Sequence, residues 1–418
     1  MRSATKRKSC RICSNKELIP CIDLGDQYLS SVFPNNLTYR KTAKKYPLSM
    51  VLCKKTKNTC GLLQLSHDIN LDDMYKYYPY LSSTNSSMKL ILKDIVGDSV
   101  KRVKLSDNDI ILDIGGNDGT LLSYFRNKKF NLLTIDPAQN VKQVFKSKRY
   151  KYINNYFNEK IYKSNAKNKA RIIFSIAMFY HLSDPVGFAR DIKACLANDG
   201  IWVIQMAYLP SMLKTNMYDN IVHEHAGYYT LHNMKWIMDK VGLEIFDTEL
   251  NEVYGGSFRI FVKQKNNSSV KTSARVAKIL NNEKRIGVNS VKTYKDFMKR
   301  IEKTKQDLLN LILKLNKEGK TIWAYGASTK GNTILQFCGL NSKNITAAAD
   351  SNPFKIGRYI IGSDIPVKTE ETMRKAKPNY LLALPYSFVD TFIKREHKLV
   401  RYGTKFIVPL PKVKILTN

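Results

Sequence analysis

Four cysteines near the N-terminus and a glycine turn flanked by acids are the residues whose types and spacing could first do chemistry. Cys10-Arg-Ile-Cys13 is a C-x-x-C knuckle, and Cys53 and Cys60 could supply the second pair of a tetrahedral four-thiolate zinc site. Such a metal would be structural; the alternative is four free thiols. Cys21, in an apolar stretch, reads as core. Farther on, Ile110-Ile-Leu-Asp-Ile-Gly-Gly-Asn-Asp-Gly-Thr120 leaves an apolar strand, turns on glycines with the spacing Asp113-x-Gly115-x-x-x-Gly119, and is expected to enter a helix at Leu121.

Glycines let a backbone approach a ligand closely and take positive φ. The spacing is not the G-x-G-x-x-G of a dinucleotide site, which seats a pyrophosphate on a helix N-terminus. A carboxylate, Asp113, guards the turn instead, and it suits a ligand with ammonium and sulfonium centres better than one with phosphates. S-adenosylmethionine is such a ligand. The next strand ends at Asp136, a second carboxylate placed where a ribose diol would lie. A second turn, Tyr325-Gly-Ala-Ser-Thr-Lys-Gly331, has P-loop glycine spacing, but Asn332-Thr333 replaces the required Lys-Ser/Thr pair, which excludes an NTPase reading. Its backbone amides, with Lys330, could still receive a pyrophosphate, and Asn332 is a further candidate substrate-binding residue.

The elements that must position these groups follow from the apolar pattern. Strands are expected at 110–114, 132–135, 172–176, 201–205 and 258–262, alternating with helical stretches, which implies a parallel sheet covered by helices. A polar stretch, 266–273, reads as a linker, followed by a long helical pattern through Leu315. Further strands are expected at 322–325, 345–349 and 380–384, with Asp350 closing the second of them. The chain is thus read as α/β in three parts. The first segment (1–70) holds five of the seven cysteines, and the central (71–265) and C-terminal (266–418) segments each carry a strand, a glycine turn and a helix, which suggests two nucleotide-binding-like folds.

The runs Asp113-Ile-Gly-Gly-Asn117-Asp-Gly119 and Asp136-Pro137-Ala, then His223-Glu224-His225, Gly255-Gly-Ser-Phe-Arg259 and Tyr325-Gly-Ala-Ser-Thr-Lys330-Gly-Asn332, resemble the C-methyltransferases that act on nucleotide-linked deoxyketosugars. They occur in that family's order along nearly the whole chain. The resemblance implies a small zinc-binding domain (1–70), a central Rossmann-like methyltransferase domain (71–265) and a C-terminal Rossmann-like substrate-binding domain (266–418), with Asp113, Gly115, Asn117, Gly119, Asp136 and Pro137 at S-adenosylmethionine. It implies a base that removes a proton next to a sugar ketone, with His225 in that role and Glu224 and His181 in the active site. Histidine suits the task because its ordinary pKa lies near neutral pH. Tyr80 and Ser83, in the run 77–83, resemble a sugar-proximal segment, and a nucleotide-diphosphate sugar would lie between the central and C-terminal domains. Val222 stands where similar members carry a tyrosine; Tyr218 and Tyr228 are the nearest hydroxyls in sequence. O- or N-methylation of a nucleotide sugar is the alternative reaction. His223 and His225 could also flank a metal, but no third ligand converges with them.

Lysine and arginine outnumber aspartate and glutamate by 69 to 35, a formal charge of +34. The lysines run through all regions rather than forming one basic block, which fits a solvated surface. A nucleic-acid methyltransferase is the reading favoured by charge alone. Pro20-Cys21 precedes the cofactor turn and Asn352-Pro-Phe354 lacks a second proline, so the motifs do not support it. No apolar run reaches membrane-spanning length, and the basic N-terminus is followed by no apolar region. Few cysteines remain to pair, so a reducing intracellular setting is expected.

Overall fold

The computed structural model describes residues 4–70, 74, 80–84, 86–145 and 147–416. A small N-terminal sheet holds β1 (Leu18–Gln27), β2 (Tyr46–Cys53) and β3 (Leu63–Leu65), all antiparallel. Its fourth strand is the distant segment Gly227–Tyr228, paired with β3. Helix α1 (Ser86–Val100) leads into the central sheet. That sheet comprises β4 (Ile110–Ile114), β5 (Asn131–Ile135), β6 (Lys151–Ile153), β7 (Ala170–Ile176), β8 (Leu196–Ala207), β9 (Leu243–Asn251) and β10 (Ser257–Gln264). The spatial order is β9-β10-β8-β7-β4-β5-β6. Every residue of β4 is buried, as expected for an Ile/Leu-rich strand covered on both faces.

Two expectations are corrected here. The sheet is mixed: the strand expected at 258–262 lies in β10, which runs antiparallel to β8 and β9. It must do so because the short Val253–Gly255 turn closes a hairpin with β9, and a tight hairpin can only join antiparallel strands. The helix expected at Leu121 is only a 3₁₀ turn, Leu122–Tyr124. Leu121, Leu122 and Phe125 still bury their side chains, but the chain must begin β5 at Asn131, leaving no room for a longer helix.

Helix α2 (Pro185–Cys195) and helix α3 (Leu231–Val241) cover one face of the central sheet. Thr230 and Asn233 form a capping box at the start of α3, and Gly242 ends it in the left-handed conformation. The long helical pattern resolves into α4 (Ala274–Ile286) and α5 (Val291–Lys317), divided at Gly287, whose φ is +71°. Tyr294, Phe297, Ile301, Leu308, Ile312 and Leu315 recur at helical spacing and form the buried stripe of α5.

The C-terminal sheet contains β11 (Ile322–Tyr325), β12 (Ala347–Ala349), β13 (Tyr359–Ile360), β14 (Ile365–Lys368), β15 (Tyr380–Ala383), β16 (Lys405–Val408) and β17 (Lys414–Leu416). Its order is β13-β14-β12-β11-β15-β16-β17, parallel except at the two edges. Helix α6 (Thr329–Cys338) follows β11. In both large sheets the first strand, β4 or β11, is the place where the strand order reverses, which is where ligands bind in open α/β sheets.

The N-terminal sheet belongs to the same core as the C-terminal one. Leu24, Met50, Leu52 and Leu65 pack in one cluster with Phe297, Ile301, Ile334 and Leu335. The zinc-segment residues Cys10, Cys53 and Leu62 join a face of the central sheet instead. No helix among the described residues is long and apolar enough to cross a membrane.

Glu283 of α4 ties α3 to the central sheet. Its carboxylate accepts from the Leu231 and His232 amides at 2.5 and 2.9 Å, and from the Tyr208 hydroxyl at 2.9 Å. It therefore serves as a buried anionic cap at the positive end of α3. Replacing Glu283 with Ala is expected to cost roughly 2–3 kcal/mol of stability, measured by urea denaturation, because three donors lose a charged acceptor. A change under about 0.5 kcal/mol would show that the cap is dispensable.

Candidate active site

At the carboxyl end of β4 the chain makes its glycine turn. Gly115 and Gly119 take φ of +67° and +78°, and Asn117 takes +52°. Gly116, which the motif spacing did not single out, is the most constrained residue: a Cβ there would meet Thr134 Oγ1 at 2.3 Å and Asp113 Oδ2 at 2.7 Å. Asp136 closes the turn from β5. Its Oδ2 accepts from the Asn117 amide at 3.0 Å and its Oδ1 from the Ala138 amide at 2.9 Å. The Asn117 side chain in turn donates to the Tyr80 carbonyl at 2.9 Å and accepts from the Ser82 amide at 3.0 Å.

Asp113 is buried, and burial together with the charges of Asp136 and Asp118 pushes its carboxyl well above the ordinary aspartate range. No ion pair among the described residues involves it. A buried acid without a cation, facing a cavity, is a site that an aminium ligand would relieve.

One cavity of about 860 Å³ runs from this turn to the C-terminal sheet. Asp113, Gly115, Asn117, Asp136, Pro137, Tyr80, His181, Glu224, His225 and Lys330 all line it. Ser83, Gly119 and Asn332 do not. Ser83 is exposed and donates its amide to Asp118 at 2.8 Å. A Cβ on Gly119 would lie 2.8 Å from Phe145, so its contribution is the turn's shape. Asn332 is fully buried in α6 and donates to the Ser30 carbonyl at 3.3 Å, too deep to meet a substrate. Of the tyrosine run 77–83, residues 77–79 lie outside the described residues.

The His-Glu-His run lies in a largely irregular segment held by the N-terminal sheet and by the C-terminal half, where Leu65 donates to the Ala226 carbonyl and Thr333 to the Ile221 carbonyl. His225 Nδ1 donates to the Asn220 carbonyl at 2.8 Å, which leaves Nε2 as the free acceptor of a neutral imidazole. The His181 ring stacks on it, centroids 5.4 Å apart and 23° from parallel. Tyr180 packs against His225 with centroids 4.2 Å apart. Burial, then the neighbouring His181 and Lys330, holds the His225 pKa well below its usual value. Burial pulls His181 down to about 3 and pushes Glu224 up to about 7. His223 points away, donating Nε2 to the Tyr46 carbonyl at 3.2 Å. It shares no metal cluster with His225 among the described residues.

Neither sequence-adjacent tyrosine fills the place left by Val222, which itself lines the cavity. Tyr218 is fully buried with its hydroxyl 3.4 Å from Cys338 Sγ, and the Tyr228 hydroxyl donates to Asn220 O at 3.1 Å. The tyrosines that line the cavity are Tyr80, Tyr156, Tyr180, Tyr254, Tyr325 and Tyr386 instead. Asp219 also lines the cavity and accepts from Tyr386 at 3.1 Å. No motif spacing announced it; only the fold brings residue 219 to residues 330 and 386.

The second glycine turn differs from the expected phosphate cradle. Asp350, at the end of β12, accepts from the Ala327 amide at 2.8 Å, and the Ser328 side chain caps α6 by accepting from Gly331 at 3.0 Å. Lys355 donates to the Ala327 carbonyl at 2.9 Å and lies 3.3 Å from Asp350. Two of the turn's amides are therefore already taken.

The four N-terminal cysteines converge. Cys10 and Cys60 sulfurs are 3.3 Å apart, Cys13 and Cys53 sulfurs 3.6 Å, and all four lie within 4.8 Å of one another. Tetrahedral zinc with bonds of about 2.3 Å spaces its sulfurs by about 3.8 Å, so the donor set fits that ion. The loop between Cys53 and Cys60 folds back on itself: Thr59 Oγ1 donates to the Lys54 carbonyl at 2.7 Å and accepts from the Thr56 amide at 2.6 Å. Asn233 of α3 donates to the Cys60 carbonyl at 2.8 Å, coupling the metal site to the central domain.

The domain matches are those of a methyltransferase, whose cofactor is S-adenosylmethionine, with a four-cysteine site fit for structural zinc near the N-terminus. Three family models match in succession: "Putative zinc binding domain" over 10–75, "Methyltransferase domain" over 89–248, and "C-methyltransferase C-terminal domain" over 252–411. The chain is 28% identical to the C-methyltransferase NovU of Streptomyces niveus over 410 residues, covering 98% of this chain and 96% of that one. Together the three matches span residues 10–411, and the chain is similar to C-methyltransferases over nearly its whole length.

Among solved structures, the plantazolicin methyltransferase BpumL with a pentazolic analog and SAH matches 44% of this chain and 87% of its own. Its TM-score is 0.36 at 11% identity. An S-adenosylmethionine-dependent methyltransferase from Clostridium acetobutylicum matches 43% of this chain and 93% of its own, with a TM-score of 0.34 at 13% identity.

Two outcomes are expected. Purified protein should carry stoichiometric zinc by elemental analysis. Cys60→Ser should lose the metal and more than about 4 kcal/mol of stability; retention of both would remove the zinc assignment. The second concerns His181. Below pH 6.5 the unfolded chain protonates this ring, whereas the folded chain refuses the proton until about pH 3. Its contribution is therefore lost as pH falls through that window, by about 2 kcal/mol between pH 7 and pH 5. His181→Gln should flatten the pH dependence of the denaturation midpoint by that amount, whereas an unchanged slope would mean that the ring titrates normally.

Proposed function

We propose that the protein transfers a methyl group from S-adenosylmethionine to a carbon beside the ketone of a nucleotide-linked deoxysugar. The observation that carries this reading is the single cavity joining the Asp113–Gly119 turn, the His181–His225 pair and the Lys330 turn. Asp113, Gly115, Asn117, Asp136 and Pro137 are the residues that would hold the cofactor, which supplies an electrophilic methyl on sulfur. Asp113 would face its ammonium and Asp136 its ribose hydroxyls. The division into zinc (1–70), methyltransferase (71–265) and substrate-binding (266–418) domains accompanies this reading.

His225 is the proposed base. The Asn220 carbonyl fixes its tautomer, so Nε2 carries the lone pair, and burial keeps the ring neutral at physiological pH. His181 and Tyr180 pack on the ring and hold its orientation. Glu224, near half-ionised at neutral pH, is the adjacent carboxyl that can balance the positive charge His225 acquires. Tyr80 lies at the sugar end of the cofactor turn, and the nucleotide would extend along the C-terminal side of the cavity past Tyr325 and Asp350.

The test is to incubate the protein with methyl-labelled cofactor and a panel of nucleotide-linked ketosugars and to locate the methyl by NMR. A new carbon–carbon bond is expected, and His225→Asn should reduce transfer by roughly 10²–10⁴-fold. A methyl on oxygen or nitrogen would replace the carbon reading, and label entering only nucleic acid would remove the sugar altogether.

A further inference from the structure

A neutral, deeply buried histidine makes a weak base unless the charge it creates is balanced on the substrate. Removing a proton next to a ketone leaves negative charge on the ketone oxygen, which needs a donor already in place. Val222 offers none, and neither Tyr218 nor Tyr228 reaches the cavity.

Lys330 shares the cavity wall with His225, Val222, Asp219, Tyr254 and Tyr386. It projects from the first turn of α6, and its ammonium stands 5.5 Å from the centre of the Tyr254 ring, an electrostatically favourable face. Its charge is felt by Asp219 on one side and by His225 on the other. Asp219 is buried and held by the Tyr386 hydroxyl. Burial holds the Lys330 pKa below the ordinary lysine value, and the charge of Asp219 opposes that shift; Lys330 makes no direct ion pair within 4 Å among the described residues, so its donors are not consumed by that acid. The turn it leaves is a poor phosphate cradle, because Asp350 and Ser328 already occupy the Ala327 and Gly331 amides.

We propose that the Lys330 ammonium is the donor that holds the ketone oxygen as His225 removes the neighbouring proton. The inference rests on the carbon-methylation reading and adds a catalytic residue to it. In the step, the carbon–hydrogen bond breaks and its proton goes to His225 Nε2. The bonding pair becomes the carbon–carbon double bond, and the carbonyl π pair moves to oxygen, where Lys330 donates a hydrogen bond without giving up its proton. When the carbon takes the methyl, the oxygen pair returns to the carbonyl and Lys330 is unchanged. Asp219, held by Tyr386 on the same cavity wall, is the positioning residue whose charge opposes the effect of burial on the ammonium.

The experiment follows deuterium exchange by NMR at the carbon beside the ketone in UDP- and dTDP-linked 4-keto-6-deoxyglucose, in D₂O and without cofactor. It is paired with calorimetry of UDP and dTDP alone. For Lys330→Met, exchange at saturating sugar should fall about 10²–10³-fold, while nucleoside diphosphate affinity stays within roughly threefold. The opposite split, with exchange at saturation unchanged and diphosphate affinity reduced tenfold or more, would make Lys330 a phosphate ligand and overturn the proposal. Lys330→Gln, which keeps polar bulk but no charge, should show the same loss and serves if the Met variant does not fold. If the wild-type protein itself exchanges no ketosugar, the carbon-methylation reading fails first. Exchange by wild type that survives in both variants defeats the Lys330 assignment alone.

Discussion

The structure depends on how the segment from Asn216 to Tyr228 is held. It is largely irregular, it carries Asp219, Val222, Glu224 and His225 of the cavity wall, and it is pinned from several sides. Asn216 bonds to the Pro411 carbonyl and to Arg300 of α5. Thr333 of α6 donates to the Ile221 carbonyl, His223 to the Tyr46 carbonyl of β2, and Leu65 of β3 to the Ala226 carbonyl. Irregular backbone carries amides and carbonyls that no ladder satisfies, so it stays buried only if neighbours supply partners. Here those partners come from the N-terminal sheet, the long helix and the C-terminal sheet. The three-part architecture is thus a mould for about a dozen residues.

That dependence explains what could be read from the sequence. The Asp113–Gly119 turn, Asp136 and the cysteine pairs are local patterns, set by strand endings, positive φ and ligand spacing, and the structure brings most of them to one cavity or one cluster. Gly116 escaped because its constraint comes from Thr134 across the sheet. Asp219 and the cavity tyrosines Tyr180, Tyr254 and Tyr386 escaped because their company is tertiary. Tyr218 looked like a candidate hydroxyl from its place in the chain, but one residue of difference along a 3₁₀ turn sends it to the core while Asp219 faces the cavity. The antiparallel β10 was hidden for a related reason: a strand's direction depends on the connection before it, not on its own apolar pattern.

The two Rossmann-like halves share a device. In each, the acid that ends the second strand reaches back to an amide of the first strand's glycine turn: Asp136 to Asn117 and Asp350 to Ala327. A carboxylate in that position occupies donors that a nucleotide-binding turn would leave for phosphate. In the central half the result is a turn suited to a cationic ligand. In the C-terminal half Lys355 offsets the acid, and Lys330 is left to project toward the histidines rather than to fold over the turn. The large net positive charge plays no visible part in this geometry; most exposed lysines in ion pairs meet acids one helical turn away.

The Asn216–Pro411 contact joins groups 195 positions apart along the chain. During synthesis, the glycine turn after β4, His181 and His225 leave the ribosome before Arg300, Thr333 and Pro411, which hold the segment from the C-terminal side. The glycine turn after β4 is thus complete in the nascent chain while the segment bearing His225 still lacks part of its frame. That segment reaches its final setting only when the last third of the polypeptide has closed, as one late event rather than domain by domain.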